Sequence, residues 1–273
     1  MTTVAAAGGD VLRAIVAGAR ASAEARERQV PLDVMEREAM TRAPRGDAFR
    51  ASLAADGVRV IAECKRRSPS RGILRAAYAP DVIARGYTAA GAAGISVLTE
   101  PSFFDGSLEH LRAAGAAVET PLLRKDFIVT PYQIAEARAC GADAVLLIVA
   151  ALDDAELRRL LAYAESLALM TLVETHTDVE VARAVDAGAT VIGVNSRSLK
   201  TLEVDTTLFE RLAETLPTGV VKVAESGIRT PADVRRVRAA GYSACLIGER
   251  FMTEPDPGTA LAAFVAQATE AGV

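Results

Sequence analysis

From Val58 onward, eight short runs rich in valine, isoleucine and leucine alternate with longer amphipathic segments, and this alternation confines the chain to folds of parallel strands joined by crossover helices. The runs are VRVIAE (58–63), ISVLT (95–99), PLLRK (121–125), AVLLIV (144–149), MTLVE (170–174), VIGVN (191–195), VVKVAE (220–225) and ACLIG (244–248). Each is followed by a segment of helical spacing, such as PDVIARGYTAAGA, SLEHLRAAGAAV, PYQIAEARACGA or DDAELRRLLAYAESLA. Eight such units in 273 residues match a (β/α)8 barrel in number and length. Several helical segments close on Ala-Gly or Cys-Gly, where glycine suits the left-handed cap that returns the chain to the next strand. A doubly wound open sheet is the alternative, but it would normally carry a glycine-rich loop after its first strand, and SPSRG is not GxGxxG.

The first 50 or so residues lack a strand and read as one or two helices, VLRAIVAGARASAEARERQ and PLDVMEREAM. They form an extension rather than a domain: residues 1–50 precede a catalytic barrel of residues 51–273, within one domain overall. Leu12, Ile15 and Val16 supply apolar positions at helical spacing, so the extension is expected to pack on the barrel or cover one end.

A net charge of −4, with no basic run and only 4% aromatic residues, argues against nucleic acid or an anionic membrane as the main partner. No window approaches the roughly 20 apolar residues of a membrane span, and MTTVAAAGGDVLRAIV has no basic stretch ahead of a long apolar one. Three cysteines, Cys64, Cys140 and Cys245, have no CxxC spacing and cannot all pair, which suits core packing in a reducing compartment. The cytoplasm is the expected location. A monomer is expected, with a homodimer as the alternative.

The apolar runs end in charge. Side chains alternate along a strand, so Glu63 and Lys65 share a face while Cys64 takes the other. An uncompensated charge inside a barrel would cost several kcal/mol, which places this pair at the open mouth, at the strand's carboxyl end. The third run ends at Lys125, the fifth at Glu174, the sixth at Asn195 and the seventh at Glu225. Proton-carrying groups from five strands thus converge on the face where barrel enzymes build their active sites. Ser226-Gly227 after the seventh run, and Gly248-Glu249 opening the short segment GERFM after the eighth, fit the backbone phosphate site common to such barrels.

The motifs IAECKRRSPSRG, SVLTEPSFFDGS, LLRKDFIV, GADAVLLIV, LVETHT, GVNSRSLKTLEVD and VAESGI resemble indole-3-glycerol phosphate synthase, from about Val58 to Met252. The resemblance implies closure of 1-(2-carboxyphenylamino)-1-deoxyribulose 5-phosphate to an indole, with loss of carbon dioxide and water, in tryptophan biosynthesis. It implies a small phosphorylated substrate and no cofactor. It places Lys125 as general acid, Lys65 on the substrate carboxylate, and Glu174 and Glu63 as the carboxyl pair that gives and takes protons. Asn195 would orient them or the sugar hydroxyls. Ser68, Ser226, Gly227 and Gly248 fall at substrate-orienting or phosphate-contacting positions, Arg197 lies at the mouth, and Glu225 supports the lysines. Phe104, Phe127 and Leu146 would surround the forming indole.

Two positions depart from the family pattern. Glu249 stands where some members have serine, so its amide rather than its side chain is assigned to the phosphate, and Arg71 stands where lysine is frequent. The loop of Ser68, Pro69, Ser70 and Gly72 is expected to close over substrate. His110 and His176 have no ligand-spaced company, and metal catalysis has no support in the sequence. The neighbouring isomerase of the same pathway relies on a cysteine and an aspartate, yet Cys64 faces away from the mouth if Glu63 and Lys65 face it. A barrel that only binds a sugar phosphate would not need two lysines balanced against two glutamates.

Overall fold

In a computed structural model, which describes residues 5–43 and 45–270, eight parallel strands close into a barrel. They are β1 (Arg59–Cys64), β2 (Gly94–Leu98), β3 (Leu122–Lys125), β4 (Ala144–Ile148), β5 (Met170–Thr175), β6 (Val191–Asn195), β7 (Val221–Glu225) and β8 (Ala244–Ile247). Each pairs with its sequence neighbour, and closure comes where Ile61 of β1 registers with Leu246 of β8 on one side and Gly94 of β2 on the other. All eight expected strands are present, within a residue or two of their expected ends. Residues 1–4, 44 and 271–273, which the expected extension and barrel include, lie outside the described residues.

Alternation along the strands divides the apolar side chains into two cores. Val60, Cys64, Val97, Leu122, Val145, Leu147 and Val173 face outward and pack against the helical ring. Ile61, Leu123, Leu146, Leu172, Val191, Val223 and Leu246 face inward and fill the barrel. All three cysteines are buried with free thiols. Lys125, Glu174 and Glu225 of the inward series lie at the carboxyl ends of their strands, so the charges read from the sequence emerge where the packed interior stops. Gly91, Gly141, Gly188 and Gly241, which follow helices, have positive φ, the conformation expected of those caps.

The extension holds three helices: α1 (Ala5–Glu27), α2 (Leu32–Ala39) and α3 (Gly46–Ala54). The third was not anticipated as a helix, and it straddles the expected boundary at residue 50. It plugs the amino-terminal end of the barrel. Phe49 and Leu53 are fully buried, and the Phe49 ring fills the space that a Cβ at Gly94 would need. The plug is fastened by Arg45, whose guanidinium holds the Asp143 carboxylate at 3.0 and 3.1 Å. At the other end of the extension, Leu12, Ile15 and Val16 pack into or against the inner core, as their spacing anticipates. Among the described residues no helix is long and apolar enough to cross a membrane.

Candidate active site

The carboxyl ends of the strands surround a cavity of about 350 Å³, within the range of small-ligand pockets. Its floor is a ring of charge. Lys125 Nζ, at the end of β3, donates to Glu174 Oε2 of β5 at 3.1 Å and lies 3.7 Å from Glu225 Oε2 of β7. Beside them, Lys65 Nζ reaches Glu63 Oε2 of β1 at 2.5 Å. Glu63, Glu174 and Glu225 are all buried.

Burial acts on the two central groups in opposite directions. On its own it would lower the pKa of Lys125, but the nearby carboxyl groups, above all Glu174, hold the ammonium above the usual lysine value. Burial pushes Glu225 up to about 8, assisted by the neighbouring Glu174 carboxylate and opposed by Lys125. Neither Glu225 oxygen receives a hydrogen bond among the described residues, so the carboxyl is favoured as the neutral acid. A charged lysine beside a neutral carboxyl gives the cavity floor two groups able to donate a proton near neutral pH.

Glycines make room for this ring. Gly193, inward on β6, lies against the Glu225 carboxyl, and a Cβ there would overlap Glu225 Oε1. Gly248 stands in the same relation to Glu63. Gly193 was not singled out from the sequence; its signal is a lone glycine at an inward position of VIGVN, two residues before Asn195, which registers with Glu225. Asn195 is held from two sides: its Oδ1 accepts the Arg197 amide at 3.0 Å, and its carbonyl meets His176 Nδ1 at 2.7 Å. His176 therefore backs a residue at the cavity rather than entering it, and His110 stacks edge-on against Tyr78.

The walls differ. Phe104, Phe127 and Leu146, together with Leu98, Ile148 and Leu246, supply apolar surface. At the rim, Ser226 and Gly227 follow β7 with φ of 65° and 71°, two consecutive left-handed residues. A side chain at Gly227 would meet Thr206 Cγ2 at 2.6 Å and Ser196 Oγ at 2.9 Å, so glycine is required there on two counts. Gly248 precedes the short helix Glu249–Met252. Ser68 is buried on a small antiparallel hairpin, Arg67–Ser68 with Gly72–Ile73, which gives the first loop a defined shape over the mouth. Arg71 of that hairpin bonds to Glu249 across the rim, Nε to Oε1 at 3.0 Å. The question left by Glu249 thus has a geometric answer: its carboxylate is occupied by the residue that stands in place of the frequent lysine.

Every residue given a catalytic or binding part from the sequence lines this one cavity: Glu63, Lys65, Ser68, Phe104, Lys125, Phe127, Leu146, Glu174, Asn195, Arg197, Glu225, Ser226, Gly227 and Gly248. Asp126 and Leu199 line it as well and were not among them, and Arg71, noted from the sequence only as a departure from the family pattern, lines it too. Asp126 could have been found from its place between Lys125 and Phe127.

A closed barrel whose mouth combines a lysine–carboxyl ring, an apolar wall and glycine-rich rim loops defines an enzyme of the phosphate-binding (β/α)8 class. Residues 12–264 match the family model for indole-3-glycerol phosphate synthase. An indole-3-glycerol phosphate synthase from Mycolicibacterium vanbaalenii is 52% identical over 255 residues, 93% of each chain. Indole-3-glycerol phosphate synthase 1 from Streptomyces coelicolor is 52% identical over 256 residues, 94% of this chain and 95% of the relative. The chain belongs to the indole-3-glycerol phosphate synthase family, carbon–carbon lyases that form indole-3-glycerol phosphate from 1-(2-carboxyphenylamino)-1-deoxyribulose 5-phosphate with loss of CO2 and water. Among solved structures, thiamine phosphate pyrophosphorylase from Pyrococcus furiosus superposes with a TM-score of 0.61 at 16% identity, covering 79% of this chain and 98% of that one. The N-acetylmannosamine-6-phosphate 2-epimerase from Clostridium perfringens gives 0.56 at 16% identity, covering 74% and 90%. At such identities the likeness is one of fold.

Proposed function

We propose that Lys125 is the general acid of the ring closure. The observation that carries this reading is its ammonium, held charged on the cavity floor by the Glu174 carboxylate at 3.1 Å, with Glu225 at 3.7 Å, beneath the apolar wall. The aryl carbon bearing the carboxylate attacks the ketone carbon. The carbonyl electrons move to oxygen, which takes a proton from Lys125. Carbon dioxide then leaves, and its bonding electrons restore the aromatic ring. In the last stage the new hydroxyl departs as water with a proton from one carboxyl group, while a second carboxylate takes the hydrogen of the adjacent carbon.

Glu174 and Glu63 serve those two transfers, and Glu225 supports the lysines. Lys65 holds the substrate carboxylate until it is lost, and Asn195 orients the carboxyl groups or the sugar hydroxyls. Phe104, Phe127 and Leu146 enclose the aryl ring. The phosphate rests at the rim formed by Ser226, Gly227 and Gly248, with Ser68 and Arg197 orienting the chain between. The protein works as one domain in the cytoplasm, as a monomer or a homodimer.

Incubation with the carboxyphenylamino deoxyribulose phosphate should produce growing indole fluorescence without added metal or cofactor. Absence of indole, with turnover of the phosphoribosyl anthranilate instead, would overturn the reading in favour of the isomerase.

A further inference from the structure

Among the described residues, Arg124 is the largest fully buried side chain, and the steps above give it no part. It precedes Lys125 on β3, so the alternation that turns Lys125 into the mouth turns Arg124 outward, against the helix Pro131–Ala139. Four hydrogen bonds hold its guanidinium: Nη1 donates to Glu136 Oε2 at 2.9 Å and to the Gln133 carbonyl at 2.8 Å, Nη2 to Asp126 Oδ2 at 2.9 Å, and Nε to Thr99 Oγ1 at 3.1 Å. Glu136, itself buried, is gripped from its far side by Arg26 of α1, through Nε at 2.6 Å and Nη2 at 2.9 Å. At the inner end Asp126 accepts the amide of Phe127 at 2.8 Å. Asp126 and Phe127 both line the cavity.

A chain of alternating charge, Arg26, Glu136, Arg124 and Asp126, therefore runs from the extension helix through the barrel wall to the residue beside Lys125. It contains two cations and two anions. Packing alone does not call for such a chain, since apolar side chains of similar volume fill a barrel wall at least as stably. What the chain provides is direction: the rigid fork of an arginine fixes two carboxylates in one plane. Here one carboxylate belongs to the turn that leaves Lys125, and the other is anchored to the extension.

We propose that Arg124 is a positioning residue that sets the backbone of Lys125, Asp126 and Phe127, and that Arg26 and Glu136 make this setting depend on the docking of α1. The proposal rests on the reading of Lys125 as the acid. It assigns the extension a part in catalysis distinct from plugging the barrel.

The test compares Arg26→Met with Arg45→Met, using indole formation and thermal unfolding. Arg45 fastens the extension at the opposite end of the barrel, far along the strands from the mouth, so its loss should lower the unfolding midpoint while kcat stays within about twofold of wild type. Arg26→Met should lower kcat about tenfold with KM within about twofold, since a small displacement of a catalytic group costs turnover rather than binding. Arg26→Lys should recover part of the loss. Arg124→Lys, which keeps charge but not the fork, should reduce kcat at least as far, and the double variant should be no slower than the slower single one. Should Arg124→Lys fail to fold, Arg26→Met decides. An Arg26→Met enzyme with wild-type kcat, or a loss of kcat shared by Arg45→Met, would overturn the coupling alone. A wild-type protein that forms no indole would overturn the reading of Lys125 and the coupling with it.

Discussion

Glu225 Oε2 lies 3.7 Å from Lys125 Nζ, yet the carboxyl is held near a pKa of about 8 because burial and Glu174 outweigh the lysine. Its pKa in the folded chain thus exceeds the unfolded value of 4.5, and the native state binds the extra proton. Stability from this group is complete below about pH 4.5 and declines as the pH rises toward about 8. The slope is at most about 1.4 kcal/mol per pH unit for one proton. Glu225→Gln should remove this slope. Urea unfolding at intervals between pH 5 and 8 will show a flatter stability profile for the variant; parallel profiles would place the proton elsewhere.

Gly193→Ala should disturb the same carboxyl from the opposite strand. The added methyl overlaps Glu225 Oε1, so the carboxyl must leave its present place beside Lys125 or the strands must part. A cost of about 1–3 kcal/mol in stability is expected, together with a kcat loss larger than that stability change would suggest. Denaturation and steady-state kinetics on one preparation check both. Unchanged kcat would show that the ring tolerates displacement.

At the rim, Arg71 and Glu249 should act on KM. Removing the cation in Arg71→Ala leaves Glu249 unpaired beside the proposed phosphate position, raising KM about tenfold with a smaller effect on kcat. Glu249→Gln frees Arg71 and should lower KM or tighten inhibition by inorganic phosphate. Opposite signs from the two variants, in kinetics at low ionic strength, are the expected outcome.

Phe49→Ala should act on stability alone. The ring is fully buried in the barrel's closed end, and its deletion should cost about 3–5 kcal/mol in chemical denaturation. KM, set at the opposite end of the strands, should not change.

The barrel was legible because its two periodicities are strong: runs with apolar side chains on both faces, separated by helical segments of regular length. The site was legible for the same reason, since a charge at the end of an otherwise apolar run has only the mouth to enter. Helix α3 was harder to see. GDAFRASLA is short and weakly amphipathic, and Phe49 and Leu53 become a core only once a barrel end exists for them to fill. Arg124 reads as one more charge beside Lys125; its burial depends on Glu136 and Arg26, which are remote in sequence. The Arg71–Glu249 bond likewise joins the first and last loops, a contact that no local pattern encodes.

The most direct measurement is the rate of indole formation by Lys125→Met at saturating substrate, with circular dichroism confirming that the barrel persists. Loss of the group that donates to the ketone oxygen should lower kcat by about 100-fold or more while KM changes little. Turnover at the wild-type rate would contradict the assignment of Lys125 as the acid.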